Sequence, residues 1–407
     1  MTHRFELPLL HDHHSHISLY AALQSCPDIS KMHATMAREY LSKLPANKLS
    51  VVTGWKSSSF ALSPTDLGRL PPVLLINFSL HGFVITDKGL PYLKAIAPEL
   101  ADGRNDPQWL EANVPAIFAA YCDLVGLDDS SLASFMTGLE AVGIGSTEDL
   151  AVSSRMAMDV LRSSVLKDRM VFWADPSVFN RLDAAARTLC SGIKLFLDGA
   201  LGSRSAAIQG KWIGPGEGIL PYDSDSLEMQ VQQASDWNTG LTMHAIGETA
   251  INQALDATER VLQNGGKLPV IRLEHVQFID RSQAFRARDM GILLSMQPNF
   301  TADSVDYADR LPLEYLAANN PFRMLIDQAG FKPGRDLVFG SDGMPHGLAF
   351  AAQWSLFPPF PGQRLTLEEL VAGYGVARGR SDTFLLEVDE QERTVKVLDH
   401  ALRRPPQ

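Results

Sequence analysis

Phe5-Glu6-Leu7-Pro8-Leu9-Leu10-His11-Asp12-His13-His14-Ser15-His16 opens the chain as a β-like apolar run that ends in a cluster of metal-ligating residue types. Side chains alternate in direction along an extended strand, so His14 and His16 share one face with Asp12 behind them, and His11 and His13 face the other way. Two imidazoles on one face at a strand end suit a divalent metal such as zinc, nickel, iron or manganese, and a neighbouring carboxylate commonly orients such a histidine. Read alone, the segment is equally a polar, tag-like N-terminal histidine cluster.

The same arrangement recurs along the chain. Gly192-Ile193-Lys194-Leu195-Phe196 is an apolar run with one lysine near its middle, followed by Asp198-Gly199. A charged lysine has only donors and cannot ligate a cation. Desolvation lowers its pKa, and the neutral amine can take up carbon dioxide to become an anionic carbamate. The alternative is an ordinary ion pair with Asp198. Met243-His244-Ala245-Ile246-Gly247 and Arg272-Leu273-Glu274-His275 each end a run in histidine, and Phe339-Gly340-Ser341-Asp342-Gly343 ends one in aspartate. Singly, such histidines are often structural, and an aspartate after a strand often caps the next helix. Together, after a His-x-His on the first strand, they favour a ligand set in which Asp342 also exchanges a proton with water.

From about residue 138 onward, short apolar runs alternate with amphipathic stretches, the pattern of β-α units around a parallel sheet. Strands are expected at Leu139–Gly145, Met170–Ala174, Gly192–Leu197, Leu241–Ala245, Val270–Glu274, Gly291–Met296 and Asp336–Gly340, which with Phe5–Leu10 makes eight. Glu248–Gln263 carries Ile251, Ala254, Leu255 and Leu262 at helical spacing and stops at Gly265-Gly266, as a connecting helix should. Eight units close into a TIM-type (β/α)8 barrel. The expected organisation is a first strand within 1–16, an inserted subdomain over 17–137 acting as a lid, the remaining barrel over 138–380 and a tail over 381–407. The insertion follows from spacing, since more than a hundred residues separate the first two strands. Within it Leu49–Thr53 and Val73–Asn77 read as strands and Ile29–Leu44 as helix, and the Pro-rich end Arg403–Gln407 reads as frayed.

The chain has 407 residues, 36 basic and 47 acidic, for a net charge of -11, which argues against a phosphate-tracking nucleic-acid surface and for a small-molecule substrate. Met1–Leu10 is too short and interrupted for a signal-peptide apolar region, and no apolar run is long enough to span a membrane, so the cytoplasm is the expected location. Cys26, Cys122 and Cys190 are far apart with no CxxC pair, which indicates neither a disulfide framework nor a zinc knuckle. A homo-oligomer is compatible with all of this.

These motifs resemble the amidohydrolase superfamily, and specifically its amidohydrolase-3 branch, which includes N-substituted formamide deformylases. The resemblance runs from about Leu9 to the early 350s and includes Gly192-Ile-Lys-Leu-Phe-Leu-Asp-Gly-Ala-Leu-Gly-Ser-Arg204, His244-Ala-Ile-Gly, Glu274-His275 and Ser295-Met-Gln-Pro298. It implies a mono- or binuclear metal centre, by default zinc, held by His14, His16, a carboxylated Lys194, His244, His275 and Asp342. It further implies substrate contacts from His81 and Arg204. The expected reaction is hydrolysis of an amide or other non-peptide C–N bond by metal-activated hydroxide, with Asp342 as general base and acid. The same barrel acting on a lactone or phosphoester or as a decarboxylase is one alternative, and a non-catalytic ligand-binding barrel is another. Two departures stand out. The branch has a β-sandwich built from segments flanking the barrel, which here is reduced or absent. Thr86-Asp87 and Gly343-Met344-Pro345-His346 also differ from the branch pattern, which points to a different substrate specificity.

Overall fold

The computed structural model describes residues 1–56, 60–77 and 80–398. Their strands, in chain order, are β1 (Thr2–Pro8), β2 (Leu10–Ser15), β3 (Ser50–Trp55), β4 (Val73–Asn77), β5 (Phe83–Ile85), β6 (Ile144–Val152), β7 (Met170–Ala174), β8 (Cys190–Phe196), β9 (Gly240–Ala245), β10 (Ile271–His275), β11 (Leu293–Met296), β12 (Leu337–Phe339), β13 (Thr383–Asp389) and β14 (Thr394–Leu398). Eight of them form one sheet in the order β12-β11-β10-β9-β8-β7-β6-β2. Every pairing in it is parallel. Parallel strands with helical crossovers are covered on both faces, which is why β7, β9 and β10 are buried at every position and read as continuous runs. The helix Glu248–Gln263 follows Gly247 with Ile251, Ala254 and Leu255 buried, as its spacing predicts.

The sheet curls until its two outer strands meet, giving a nearly closed (β/α)8 TIM-type barrel. The Asp342 amide donates to the His14 carbonyl at 2.6 Å. Behind it, Gly340 passes so close to β2 that a Cβ there would lie 2.2 Å from the His14 nitrogen. The Asp12 carboxylate ties the same seam, accepting from the Ser341 amide at 2.9 Å, from the Ser341 hydroxyl, and from the His14 amide at 3.0 Å. A second backbone approach occurs between β8 and β9, where a Cβ on Gly192 would lie 2.0 Å from the Gly240 carbonyl oxygen.

Two strand expectations are corrected. Phe5–Leu10 is not one strand that runs into the histidines. Residues Thr2–Pro8 leave the barrel and pair antiparallel with β13, and the barrel strand begins at Leu10. With β14, these strands make a separate three-stranded sheet outside the barrel. The alternation of Phe384, Leu386 and Val388 puts those side chains in the core of that sheet's buried face. Strand Leu139–Gly145 is also displaced: Leu139 lies in the helix Asp129–Ala141, Gly143 turns the chain at φ +90°, and β6 starts at Ile144. β6 escapes an apolar-run reading because Ser146, Thr147, Glu148 and Asp149 are all buried in it.

Two compact units divide the chain: Met1–Ile17, Ala133–Val152 and Arg162–Gln407 in the first, Ser18–Leu132 with Ser153–Leu161 in the second. The second unit contains its own sheet, with β3 and β4 parallel and β5 antiparallel to β4. Ile29, Ala37, Leu41, Val52, Val73 and Leu75 pack into its core. The expected helix Ile29–Leu44 is shorter, Ala34–Ser42. Cys26, Cys122 and Cys190 form no disulfide, and no helix among the described residues is long and apolar enough to cross a membrane. The tail Arg403–Gln407 lies outside the described residues.

Gly340→Ala is expected to force β12 away from β2 and cost about 1–3 kcal/mol, the range for overpacking a tight contact. Gly138→Ala, in the helix Asp129–Ala141 with nothing within 4 Å of its Cβ position, serves as the control and should be neutral or slightly stabilising. Chemical-denaturation midpoints of the two variants check this, and equal midpoints would contradict the seam.

Candidate metal centre

The ends of the barrel strands bring the histidines and aspartate of the sequence pattern together. Ligand atoms of His14, His275 and Asp342 all lie within 4.8 Å of one another. Asp342 Oδ1 stands 3.5 Å from His14 Nε2 and 3.3 Å from His16 Nε2. The His275 ring centroid is 4.7 Å from that of His14 and 4.4 Å from that of His244. Lys194 is fully buried on β8, its Nζ 5.0 Å from the Phe196 ring centroid and without a hydrogen-bond partner.

The backbone turns sharply where two of these side chains enter. His275 has φ +69° and Asp342 has φ +55°, left-handed values that non-glycine residues adopt at a cost of order 1–3 kcal/mol. Their surroundings hold them there. His275 Nδ1 meets Gln297 Oε1 at 2.7 Å, and the ring stacks on Phe300 at 5.9 Å. Asp342 is fixed by its own amide, bonded to β2.

His14 is aimed by a buried chain of charges. Its Nδ1 lies 2.6 Å from Glu274 Oε2, while Glu274 Oε1 accepts from Arg272 Nε and the Thr242 hydroxyl. Arg272 extends to Glu148 Oε2 at 2.9 Å and to the His13 carbonyl at 3.0 Å, and its guanidinium lies 4.9 Å from the centre of the Trp173 ring. Sequence reasoning assigned the orienting role to Asp12, but that carboxylate holds backbone, and Glu274 holds the imidazole. Glu274 and Gln297 sat inside the motifs already noted, beside His275 and in Ser295–Pro298. Arg272 opened the quoted run Arg272–His275 without a sign of its role, and Glu148 lay outside every motif, because a buried ion chain inside a strand resembles no motif.

The electrostatics suit ligation. Burial lowers the pKa of His14 against the opposing pull of Asp342 and Glu274, and burial with His244, His14 and Lys194 nearby takes His275 well below its ordinary value. A lowered pKa favours the neutral imidazole, the form that ligates a metal. Burial alone would raise the Asp342 carboxyl, but His14, His16 and Lys194 outweigh it and keep the group ionised. Desolvation brings Lys194 down to about 8 despite Glu274 and Asp342.

The competing bland readings fail on contacts. Asp198 does not pair with Lys194; it accepts from the Ala207, Ile246 and Gly247 amides, with His244 Nε2 3.3 Å away. Asp342 does not cap the next helix, Leu348–Leu356, whose N-cap is Gly347. Of the two expected substrate contacts, Arg204 stands on the loop after β8 with its guanidinium 3.9 Å from Asp309. His81 belongs to the second unit, where its Nδ1 is 3.0 Å from Glu111 Oε2.

Comparison with known proteins agrees with this architecture. The model of the amidohydrolase family, Amidohydro_3, matches residues 129–353, more than half of the chain. YtcJ, a candidate amidohydrolase of Bacillus subtilis (strain 168), is 23% identical over 356 residues, which cover 78% of this chain and 67% of that protein. LONG AFTER FAR-RED 3 of Arabidopsis thaliana is 32% identical over 118 residues, 28% of this chain and only 20% of that protein. Among solved structures, an uncharacterized metal-dependent hydrolase from Pyrococcus furiosus aligns with a TM-score of 0.63 at 17% identity, covering 98% of this chain and 87% of its own. A second, from Pyrococcus horikoshii OT3, aligns with a TM-score of 0.60 at 19% identity, covering 86% and 73%. At these identities the two structures speak for the fold, and the family match carries the assignment: the chain belongs to the amidohydrolase family.

Proposed function

We propose that His14, His16, Lys194, His244, His275 and Asp342 hold one or two divalent metal ions, zinc by the character of the donors, and that the protein hydrolyses a non-peptide C–N bond of a small molecule. The observation that carries this reading is the convergence of His14, His275 and Asp342 ligand atoms within 4.8 Å. The donor set fits a cation: His14 Nε2 and Lys194 Nζ are buried without hydrogen-bond partners, an arrangement that is costly unless something else satisfies them. When bound, the cation supplies Lewis acidity, polarising a carbonyl and bringing the pKa of water down toward ~7.

The chain's own groups do the rest. Asp342, ionised and 16% exposed at the site, accepts the proton of the attacking water. The water oxygen bonds to the carbonyl carbon, the C–N bond breaks, and Asp342 returns the proton to the leaving nitrogen, giving a carboxylate and an amine. Glu274 keeps His14 in one tautomer and orientation, as outer-sphere carboxylates do. Lys194 enters as a carbamate: with its pKa near 8, a neutral fraction exists at neutral pH whose nitrogen adds to carbon dioxide with loss of a proton to solvent. The carbamate oxygens then convert a buried orphan donor into an acceptor. On the family resemblance, His81 and Arg204 are included as substrate contacts.

His275→Ala is expected to lose the metal of this centre and activity together, whereas Asp342→Asn should lower turnover about 10²-fold or more while keeping most of that metal. Metal analysis beside turnover on a panel of amides, lactones and phosphoesters reads both, and a fully active Asp342→Asn enzyme would sink the assigned role. Glu274→Gln should weaken metal affinity about 10–100-fold, the usual loss for an orienting partner. Competition against a chelator measures it, and unchanged affinity would mean that Glu274 serves the core alone.

A further inference from the structure

We propose that His11, His13 and Glu148 form a second divalent-cation site, distinct in all its residues from the one above. Their ligand atoms all lie within 4.8 Å of one another. Glu148 Oε1 is the focus, 2.9 Å from His13 Nδ1 and 3.3 Å from His11 Nε2. The two rings stand edge to face, with centroids 4.4 Å apart.

Three features make this a built site. Glu148 is oriented before any ligand arrives, because Arg272 and Trp173 Nε1 both bond its other oxygen, at 2.9 and 2.7 Å, and so turn Oε1 to the imidazoles. His11 has a partner for its remaining nitrogen: Nδ1 lies 2.7 Å from Ser146 Oγ, which also accepts from the Arg378 amide at 2.9 Å. That is the outer-sphere hydrogen bond a ligating imidazole needs. Finally, the His13 side chain is 20% exposed while those of His11 and Glu148 are nearly closed, at 4% and 5%, which leaves one open side for entry and for a water ligand.

Glu148 and Glu274 share the guanidinium of Arg272, so that one cation does not serve Glu148 alone. Two imidazole nitrogens, one carboxylate oxygen and one water make a four-coordinate set of the kind zinc accepts. Each ring then carries its proton on the nitrogen away from Glu148. Without a cation the same atoms close as hydrogen bonds, and metal stoichiometry separates the two states.

Full-length protein is stripped with chelator, reloaded with Zn²⁺, desalted and assayed by plasma mass spectrometry as wild type, His13→Ala and His275→Ala. His13→Ala removes a partly exposed side chain and spares the backbone carbonyl that Arg272 uses. It is expected to hold about one zinc fewer per chain than wild type, and His275→Ala is expected to retain that zinc. In the His275→Ala background, added Zn²⁺ should raise the melting temperature, and His13→Ala should abolish that rise. Equal zinc in wild type and His13→Ala, or a His275→Ala protein with neither zinc nor a thermal shift, would overturn the proposal and leave a hydrogen-bonded cluster. Because the two sites share no residue, failure here is distinguishable from failure of the hydrolytic reading, which predicts the zinc lost in His275→Ala.

Discussion

The seam between the first and last barrel strands is the constraint on which the site depends. Three residues make it. Gly340 lets β12 approach the His14 backbone, the Asp12 carboxylate bonds Ser341 and His14, and the Asp342 amide closes onto the His14 carbonyl. His14 and His16 lie at one end of the chain and Asp342 more than three hundred residues later, so only barrel closure puts Asp342 3.3–3.5 Å from both imidazoles. A buried carboxylate with three donors is well matched to this task, since removing it would leave buried backbone amides on both sides of the seam unsatisfied.

A second element, the buried chain Glu148–Arg272–Glu274–His14, shows how a fold can trade stability for aim. Buried ion pairs recover their desolvation cost only with good geometry and full hydrogen bonding. Here every carboxylate oxygen in the chain has at least one partner. The return is positional: Glu274 fixes the ring of His14, while Arg272 spans from β10 to β6 and to the His13 carbonyl on β2. The left-handed backbone at His275 and Asp342 fits the same picture of local strain held at a site by well-packed surroundings.

What the sequence revealed followed from period and spacing. Met170–Ala174 and Glu248–Gln263 were legible to the residue, because a fully buried parallel strand is continuously apolar and an amphipathic helix repeats every three or four residues. β6 was misplaced, since it buries Ser146, Thr147, Glu148 and Asp149, and Ser146 and Glu148 find partners on other strands, which no local pattern records. The run Phe5–Leu10 looked continuous, yet Pro8 marks the end of a strand belonging to another sheet. At the site, residues with ligand chemistry at strand ends were visible, whereas Arg272 and Glu148, which position them from within the barrel, were not.

The central claim is that the converging histidines, Lys194 and Asp342 hold a catalytic metal, and its most direct test is metal content per chain in protein purified without chelator, for wild type and Lys194→Ala. The account predicts about one to two divalent ions at the site in wild type, fewer in the variant, and activity that falls with them. Active wild-type protein that contains no metal, or a Lys194→Ala protein with unchanged metal and activity, would contradict it.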